Sequence, residues 1–120
     1  MTIGALARAA RTVPSLVRYY ERRGVLAAPP RRSGARCYDR AALERLRSIL
    51  VARRLGLSLD EIRAVLDGRS SLRDVAEARI ALLDDTIRKS RVQRTLLRHA
   101  SKRGELAAER YGRMLASIGA

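Results

Sequence analysis

The second half of the chain carries one long helical pattern that a chain of this size cannot easily cover. Residues 76–97 repeat at alternating spacings of four and three residues, which is the heptad pattern of a coiled coil. Five of the seven positions are apolar, and the seam is Ala76, Ile80, Leu83, Ile87, Ser90, Arg94 and Leu97. An isolated helix with such an apolar seam needs a second surface to bury it, so the pattern predicts dimerisation with a second copy of the chain. The alternative is an amphipathic helix that folds back on the N-terminal half.

Composition limits the core and indicates a polyanionic partner. The 120 residues include four tyrosines but no phenylalanine or tryptophan, so the core depends on aliphatic side chains. The net charge is +14, from 26 basic residues, all but two of them arginine, against 12 acidic ones. Residues 1–60 carry 13 basic and 4 acidic side chains (+9), and residues 61–120 carry 13 and 8 (+5). This excess predicts that nucleic acid meets the first half. The alternative is a merely soluble, highly charged surface.

Several functional classes lack the residues that they need. Cys37 is the only cysteine and His99 the only histidine, so we expect no disulfide, no metal site and no cofactor. No catalytic triad, Cys/His pair, phosphate-binding glycine loop or carboxylate cluster is evident, which argues against an enzyme. The apolar runs are too short for a signal peptide or a membrane span. We therefore expect a cytoplasmic protein without membrane contact.

Two short helices joined by a tight turn are predicted at the N-terminus. Thr2 can cap the first, and Pro14 suits the first turn of the second, which Gly24 ends as a left-handed cap. Helical spacing divides the second helix into an outward face and a core face. The outward face is Ser15, Arg18, Tyr19 and Arg22. The core face is Leu16, Val17 and Tyr20. Tyr19 can donate to a phosphate there, although an ordinary surface aromatic fits the same spacing.

A basic ribbon and two further helices complete the first half. Residues 25–38 contain a proline pair and a basic turn around Ser33, which predicts a β-ribbon or loop. Asp39 is an N-cap candidate for the next helix. Ser58, with Glu61 three residues later, predicts a capping box at the start of another. Two helices, a tight turn and a ribbon are typical of a winged helix-turn-helix, whose second helix enters the DNA major groove.

Five short motifs follow one another in residues 3–66. They are IGALA, RYYERRGVL, GARCYD, LERLRSI and GLSLDEI. Together they resemble, without gaps, the MerR family of bacterial transcription regulators. The resemblance implies a mainly α fold with a winged helix-turn-helix DNA-binding domain over residues 1–69. A long antiparallel coiled-coil dimerisation helix over residues 70–100 and a short loop and tail helix over residues 101–120 are expected to follow.

The resemblance also implies how DNA is bound. Family members touch DNA through the RYY stretch, the wing and the start of a second wing, which here correspond to Arg18, Tyr19, Arg36, Tyr38 and Ser58. They bind inverted-repeat promoters as homodimers, then bend and untwist that double-stranded DNA for RNA polymerase. We therefore expect a sequence-specific regulator on the bacterial nucleoid. The alternative is a nucleoid-type architectural protein without an effector. RNA binding is less favoured because the sequence lacks an aromatic stacking platform.

The turn before the second helix departs from the family pattern. Arg11 and Val13 stand where the family usually has a glycine and a serine cap. A positive φ is unfavourable for arginine, so a remodelled turn with Thr12 as the cap is expected. Leu16 also replaces a residue that is often polar. Base preference is therefore not carried over from the family.

The sequence offers little for sensing an effector. Metal- and redox-sensing relatives carry cysteines after the dimerisation helix, where this chain has none. Because residues 101–120 alone follow the seam here, we expect no separate sensing domain. Cys37, between Arg36 and Tyr38, is a candidate thiol switch because neighbouring cations favour a thiolate. Strand alternation instead predicts that Cys37 points away from both neighbours into the packing, and we prefer that interpretation. His99 is expected on the helix surface.

Overall fold

A computed structural model describes residues 1–32 and 34–119. This part of the chain is mainly helical, as predicted, with six helices and one two-stranded ribbon. The elements are α1 (Ile3–Ala9), α2 (Pro14–Arg22), β1 (Arg31–Arg32), β2 (Ala35–Arg36), α3 (Arg40–Arg54), α4 (Leu59–Leu66), α5 (Leu72–Arg103) and α6 (Ala108–Ala116). The chain divides into two compact units, Met1–Val75 and Ala76–Ala120. No helix among the described residues has the length and apolar character needed to cross a membrane.

Helices α1 and α2 begin where the sequence predicts. The Thr2 hydroxyl accepts a hydrogen bond from the α1 backbone at 3.1 Å, and Pro14 is the first residue of α2. The turn between the helices keeps a φ of 58° at Arg11, which costs a non-glycine residue on the order of 1 kcal/mol. Val13 is the N-cap of α2, without a side-chain capping bond. The predicted remodelling with Thr12 as the cap is therefore wrong, because the turn keeps its left-handed residue.

A short antiparallel ribbon follows α2. Arg31 lies opposite Arg36 and Arg32 lies opposite Ala35 in the register of β1 and β2. The ribbon predicted within residues 25–38 is thus confirmed. The predicted turn residue Ser33 and the side chains of the four strand residues lie outside the described part of the structure.

Both predicted capping residues of the following helices are confirmed. The Asp39 carboxylate accepts a hydrogen bond from the Ala42 N–H at 2.9 Å at the start of α3. At the start of α4, the Ser58 hydroxyl accepts from the Glu61 N–H at 3.1 Å, and the Glu61 carboxylate accepts from the Ser58 N–H at 2.9 Å. Each cap satisfies backbone N–H groups that would otherwise lack a partner, which fixes where its helix begins.

The first unit encloses a continuous core between α1, α2, α3 and α4. Thirteen described side chains form it: Leu6, Ala7, Val17, Tyr20, Val25, Leu26, Tyr38, Leu43, Leu46, Ile49, Leu57, Leu59 and Ile62. The predicted core face of α2 is confirmed, because Val17 and Tyr20 are buried and Leu16 packs at the core edge. Each fully buried aliphatic side chain contributes about 1.5–3 kcal/mol, so this core holds α2 firmly against α1 and α3.

The second unit is a helical hairpin that buries little of its apolar surface. Tyr111 of α6 packs against the end of α5, with its hydroxyl oxygen 2.5 Å from His99 Nδ1 and the two rings edge to face. His99, expected on the surface, is part-buried by this contact. The four large apolar side chains of the heptad seam stay exposed, at 54, 42, 46 and 65% for Ile80, Leu83, Ile87 and Leu97.

Candidate nucleic-acid interface

Helix α2 turns a polar, cationic face outward. The structure brings four predicted site residues together on this face, all of them exposed: Ser15, Arg18, Tyr19 and Arg22. On the opposite face Tyr20 is 4% exposed, and its burial raises the pKa of its hydroxyl, while the nearby Arg53 lowers that pKa in part. The paired tyrosines therefore have different environments, one in the core and one at the surface.

Tyr19 stands between two arginines at the end of α2. The guanidinium carbons of Arg22 and Arg23 each lie 5.9 Å from the centre of the Tyr19 ring. Arg23 Nη1 also donates a hydrogen bond to the Tyr19 hydroxyl at 3.0 Å. Arg22 is among the predicted interface residues, whereas Arg23 is not. The missed signal was the i, i+4 spacing from Tyr19, which brings side chains together on a helix.

Tyr38 joins the segment after the ribbon to α2. Its ring is 1% exposed, and its hydroxyl donates a hydrogen bond to Glu21 Oε1 at 2.8 Å. The Tyr38 N–H donates to the Met1 carbonyl at 2.7 Å. The family resemblance assigns Tyr38 to DNA contact, but with its ring buried Tyr38 instead fixes the end of the ribbon against α2. The backbone of Arg36 lies in β2, whereas its side chain is outside the described part.

Cys37 does not have the environment that strand alternation predicts. Strand β2 ends at Arg36, so the alternation does not continue into the next two residues. Tyr38 points into the core and Cys37 is exposed, with its Sγ 3.6 Å from the Met1 amino nitrogen. The preferred interpretation of Cys37 as a small buried apolar residue is therefore wrong. An exposed thiol is accessible to oxidants, so the thiol switch stays a prediction.

Ser58, the remaining predicted contact, lies at the N-terminus of α4. Its side chain is exposed, and its hydroxyl already accepts the capping hydrogen bond from the Glu61 N–H. A hydroxyl has two acceptor positions and one donor, so capping leaves its proton available. The first turn of α4 also carries Asp60 and Glu61, which places negative charge beside this helix end.

A cluster around Asp67 connects the end of α4 with α3 and with the segment after α2. Arg45 donates to the Val25 carbonyl at 2.8 Å and to the Asp67 carboxylate at 3.0 Å. Arg63 and Arg69 lie 3.7 and 3.8 Å from the same carboxylate. The hydrogen bond from Arg45 lowers the pKa of Asp67, and the charges of the three arginines add to that effect. The cluster keeps the carboxylate ionised and helps to hold the helices that support α2.

The described residues do not bring metal-binding side chains together. Within residues 1–32 and 34–119, no three His, Cys, Asp or Glu side chains form a group that could hold a metal ion. What the described residues assemble instead is an exposed face of cations, a hydroxyl and a phenol on α2. These groups suit the phosphates and base edges of DNA.

Comparison with protein families gives two matches that overlap on this chain. Residues 1–69 match the MerR HTH family regulatory protein, and residues 43–100 match the MerR DNA-binding family. The nodulation protein NolA of Bradyrhizobium sp. (strain NC92) is 35% identical over 105 residues, which are 87% of this chain and 44% of NolA. The chain therefore spans less than half the length of that relative.

A second relative and a solved structure are also similar to this chain. The HTH-type transcriptional regulator ZntR homolog of Haemophilus influenzae is 38% identical over 89 residues, covering 73% of this chain and 66% of the relative. The crystal structure of the transcription regulator PbrR691 from Ralstonia metallidurans CH34, in complex with lead(II), superposes with a TM-score of 0.77. It is 31% identical, and the match covers 85% of each chain.

Proposed function

Because the chain belongs to the MerR HTH family of regulatory proteins, we propose that it is a transcription regulator that binds promoter DNA. In this proposal a homodimer binds an inverted repeat, bends and untwists the duplex, and so prepares the promoter for RNA polymerase. It acts in the bacterial cytoplasm, on the nucleoid. The family match and the relatives give no support to the architectural alternative.

The outward face of α2 is the observation that carries this proposal. Arg18 and Arg22 supply positive charge, and Ser15 and Tyr19 supply hydroxyl donors, on one exposed face of a helix that is held in place by a core. A helix of this kind enters the major groove, where arginine reads guanine and hydroxyls contact phosphates. We assign these four residues, together with Arg36 of the ribbon and Ser58, to DNA binding, whereas the buried Tyr38 supports the end of the ribbon.

The exposed heptad seam supports the homodimer. Ile80, Leu83, Ile87 and Leu97 leave water only if another surface covers them. A second copy of α5 presents the same seam, and isologous pairing through one patch is the commonest route to a dimer. Because about half of each side chain is already buried in the single chain, each of the eight in a dimer can contribute on the order of 1 kcal/mol to association.

The charges on α5 favour an antiparallel pair. Residues 72–85 contain four acidic and two basic side chains, whereas residues 86–103 contain seven basic and no acidic ones. An antiparallel arrangement places the acidic half of one helix along the basic half of the other. A parallel arrangement places the seven cations of one helix beside the same seven cations of the other. Charge complementarity along coiled-coil flanks determines orientation in this way.

A dimer with two DNA-binding helices can convert binding into deformation of DNA. In the proposed dimer both α2 helices contact one duplex, so a duplex whose half-sites do not match their separation must bend or untwist to meet both. The energy of that deformation depends on sequence at positions that the protein does not touch. The lead ion of the structural neighbour is not carried over, because this sequence holds one cysteine and one histidine.

The test begins with duplexes that the purified protein selects from a random-sequence pool. We expect an inverted repeat, and an affinity that falls steeply as salt rises. Arg18→Ala should weaken binding and flatten the logarithmic salt slope by about one for each protomer on the duplex. Arg110→Ala, which removes an exposed arginine from α6, is the matched control. Selection of no common sequence, or equal effects of the two variants, contradicts the proposal.

The thiol switch at Cys37 has its own measurement. Mild peroxide treatment of the wild-type protein should weaken binding to the selected duplex, and a thiol reductant should restore it. Cys37→Ser removes the thiol and should make binding insensitive to peroxide. Binding that withstands peroxide in the wild-type protein, or that stays sensitive in Cys37→Ser, excludes the switch.

A further inference from the structure

The two arginines beside Tyr19 contact it in different ways. Both guanidinium groups lie at the same distance from the ring centre, 5.9 Å. Arg23 alone also has a hydrogen bond from Nη1 to the Tyr19 hydroxyl, at 3.0 Å. Arg22 therefore interacts with the aromatic ring, whereas Arg23 interacts with the ring and with its polar end. This difference separates the two arginines chemically although they are neighbours in sequence.

The hydrogen bond from Arg23 determines whether the Tyr19 hydroxyl can still donate or accept a further hydrogen bond. A phenol oxygen has one proton to donate and lone pairs with which to accept. Arginine can only donate, so Arg23 occupies an acceptor position and leaves the proton free. A DNA phosphate can only accept. The contact thus leaves the Tyr19 hydroxyl its donor proton, which is what a phosphate can accept.

The backbone holds this pair in register. The Arg23 N–H donates to the Tyr19 carbonyl at 2.9 Å, which keeps the two residues one helical turn apart at the end of α2. Gly24 follows with a φ of 72° and ends the helix there. Tyr20 is anchored in the core, so the base of Tyr19 cannot shift. Only the side-chain torsions of Tyr19 remain to be ordered, and the contact with Arg23 orders them before DNA arrives.

We infer that Arg23 is a positioning residue, which holds the Tyr19 hydroxyl so that its proton points outward to a phosphate of the DNA backbone. The inference rests on the proposed function, because it assumes that the outward face of α2 meets DNA. It assigns Arg23 a role that acts through Tyr19, whereas Arg22 acts through its own charge and its contact with the ring.

A double-mutant cycle on the selected duplex tests this role. Arg23→Met removes the donor and the charge with little change in length, and Tyr19→Phe removes the hydroxyl but keeps the ring. Arg23→Met should weaken binding about 3- to 10-fold more in the wild-type background than in the Tyr19→Phe background, the range expected for the net contribution of one exposed hydrogen bond. Arg22→Met is the matched control, and its effect should be the same in both backgrounds because the ring is retained.

Further variants separate positioning from simple charge. Arg23→Lys keeps the charge and can still donate one hydrogen bond, so it should restore most of the coupling to the Tyr19 hydroxyl. Thermal unfolding of each variant checks that the fold is kept, and Arg23→Leu, which also lacks a donor, provides the cycle if Arg23→Met unfolds. Equal effects of Arg23→Met in the two backgrounds overturn the inference, as does wild-type affinity in Tyr19→Phe. If the wild-type protein itself selects no duplex, the proposed function fails instead.

Discussion

The two units of this chain bury very different shares of their apolar side chains. In Met1–Val75, thirteen described side chains form one core. Among the described residues of the second unit, only Leu96 and Tyr111 reach a similar burial, while the large apolar members of the seam stay exposed. The first unit therefore has the means to fold around its own core. The second unit has an apolar seam that stays exposed in the single chain.

This difference in burial corresponds to a difference in the roles that we propose for the two units. The first unit carries Arg18 and Arg22 exposed on α2, which the core fixes in orientation, as the proposed contact with DNA requires. The second unit carries opposite charges in the two halves of α5, as an antiparallel pair of helices requires. A substitution in the first unit should thus change stability or DNA contact. One in the second should change association.

The largest effect is expected from a charge in the heptad seam. Leu83→Lys places a cation in the seam of both protomers and removes two apolar side chains that are 42% exposed in the single chain, so the lost burial should cost about 1–3 kcal/mol of association free energy and the desolvated cations add to it. Sedimentation should show monomers, and binding to the inverted repeat should fall at least 100-fold. Leu82→Lys is the matched control, since Leu82 is 61% exposed and lies outside the seam. Equal dimer stability in both variants contradicts the seam.

The next effect concerns the core of the first unit. Leu46 is 0% exposed, so Leu46→Ala should lower the free energy of unfolding by about 2–5 kcal/mol through lost burial and the cavity left behind. Leu106→Ala truncates a side chain that is 77% exposed and should change stability by less than about 0.5 kcal/mol. Urea unfolding measures both. Similar losses in the two variants would show that burial in the single chain does not set stability.

A smaller effect of opposite sign is expected in the turn before α2. Arg11 has a φ of 58°, which glycine adopts without a steric penalty, so Arg11→Gly should raise the free energy of unfolding by about 1 kcal/mol or slightly less. Arg8→Gly makes the same chemical change inside α1 and should lower it by about 0.5–1 kcal/mol. Thermal unfolding compares the two. Destabilisation by Arg11→Gly would mean that the Arg11 side chain contributes more than its backbone strain costs.

Much of the fold was predictable because helix boundaries depend on local chemistry. Thr2, Asp39 and Ser58 cap helices as their side chains predict, since a hydroxyl or carboxylate accepts backbone N–H groups close by. The core face of α2 follows from helical periodicity in the same way. The turn was not predictable from propensity, because tertiary packing of α1 against α2 holds Arg11 in a conformation that arginine alone disfavours.

The candidate site was predictable in position but not in its contacts. Spacing placed Arg18 and Tyr19 on one face, whereas the hydrogen bond from Arg23 to Tyr19 depends on side-chain torsions that no sequence pattern fixes. Cys37 was misplaced because period-two alternation holds only within a strand, and β2 ends one residue earlier.

The smallest expected effect is a pH dependence of stability in the first unit that the second unit does not share. The hydrogen bond from Arg45 lowers the pKa of Asp67 below its ordinary value of 3.8, so the unfolded chain binds this proton more readily than the folded one. The contribution of Asp67 to stability is therefore complete above that ordinary pKa and is lost as the pH falls through the lower, folded pKa. Asp67→Asn should flatten the acid limb of the curve of stability against pH, which is measured by hydrogen exchange at the Leu46 amide. Asp84→Asn, on α5 of the second unit, should leave the limb unchanged. The effect should be modest and weaken in salt, because the carboxylate is exposed. Parallel acid limbs in wild-type protein and Asp67→Asn would show that the cluster does not couple protonation to folding of the first unit.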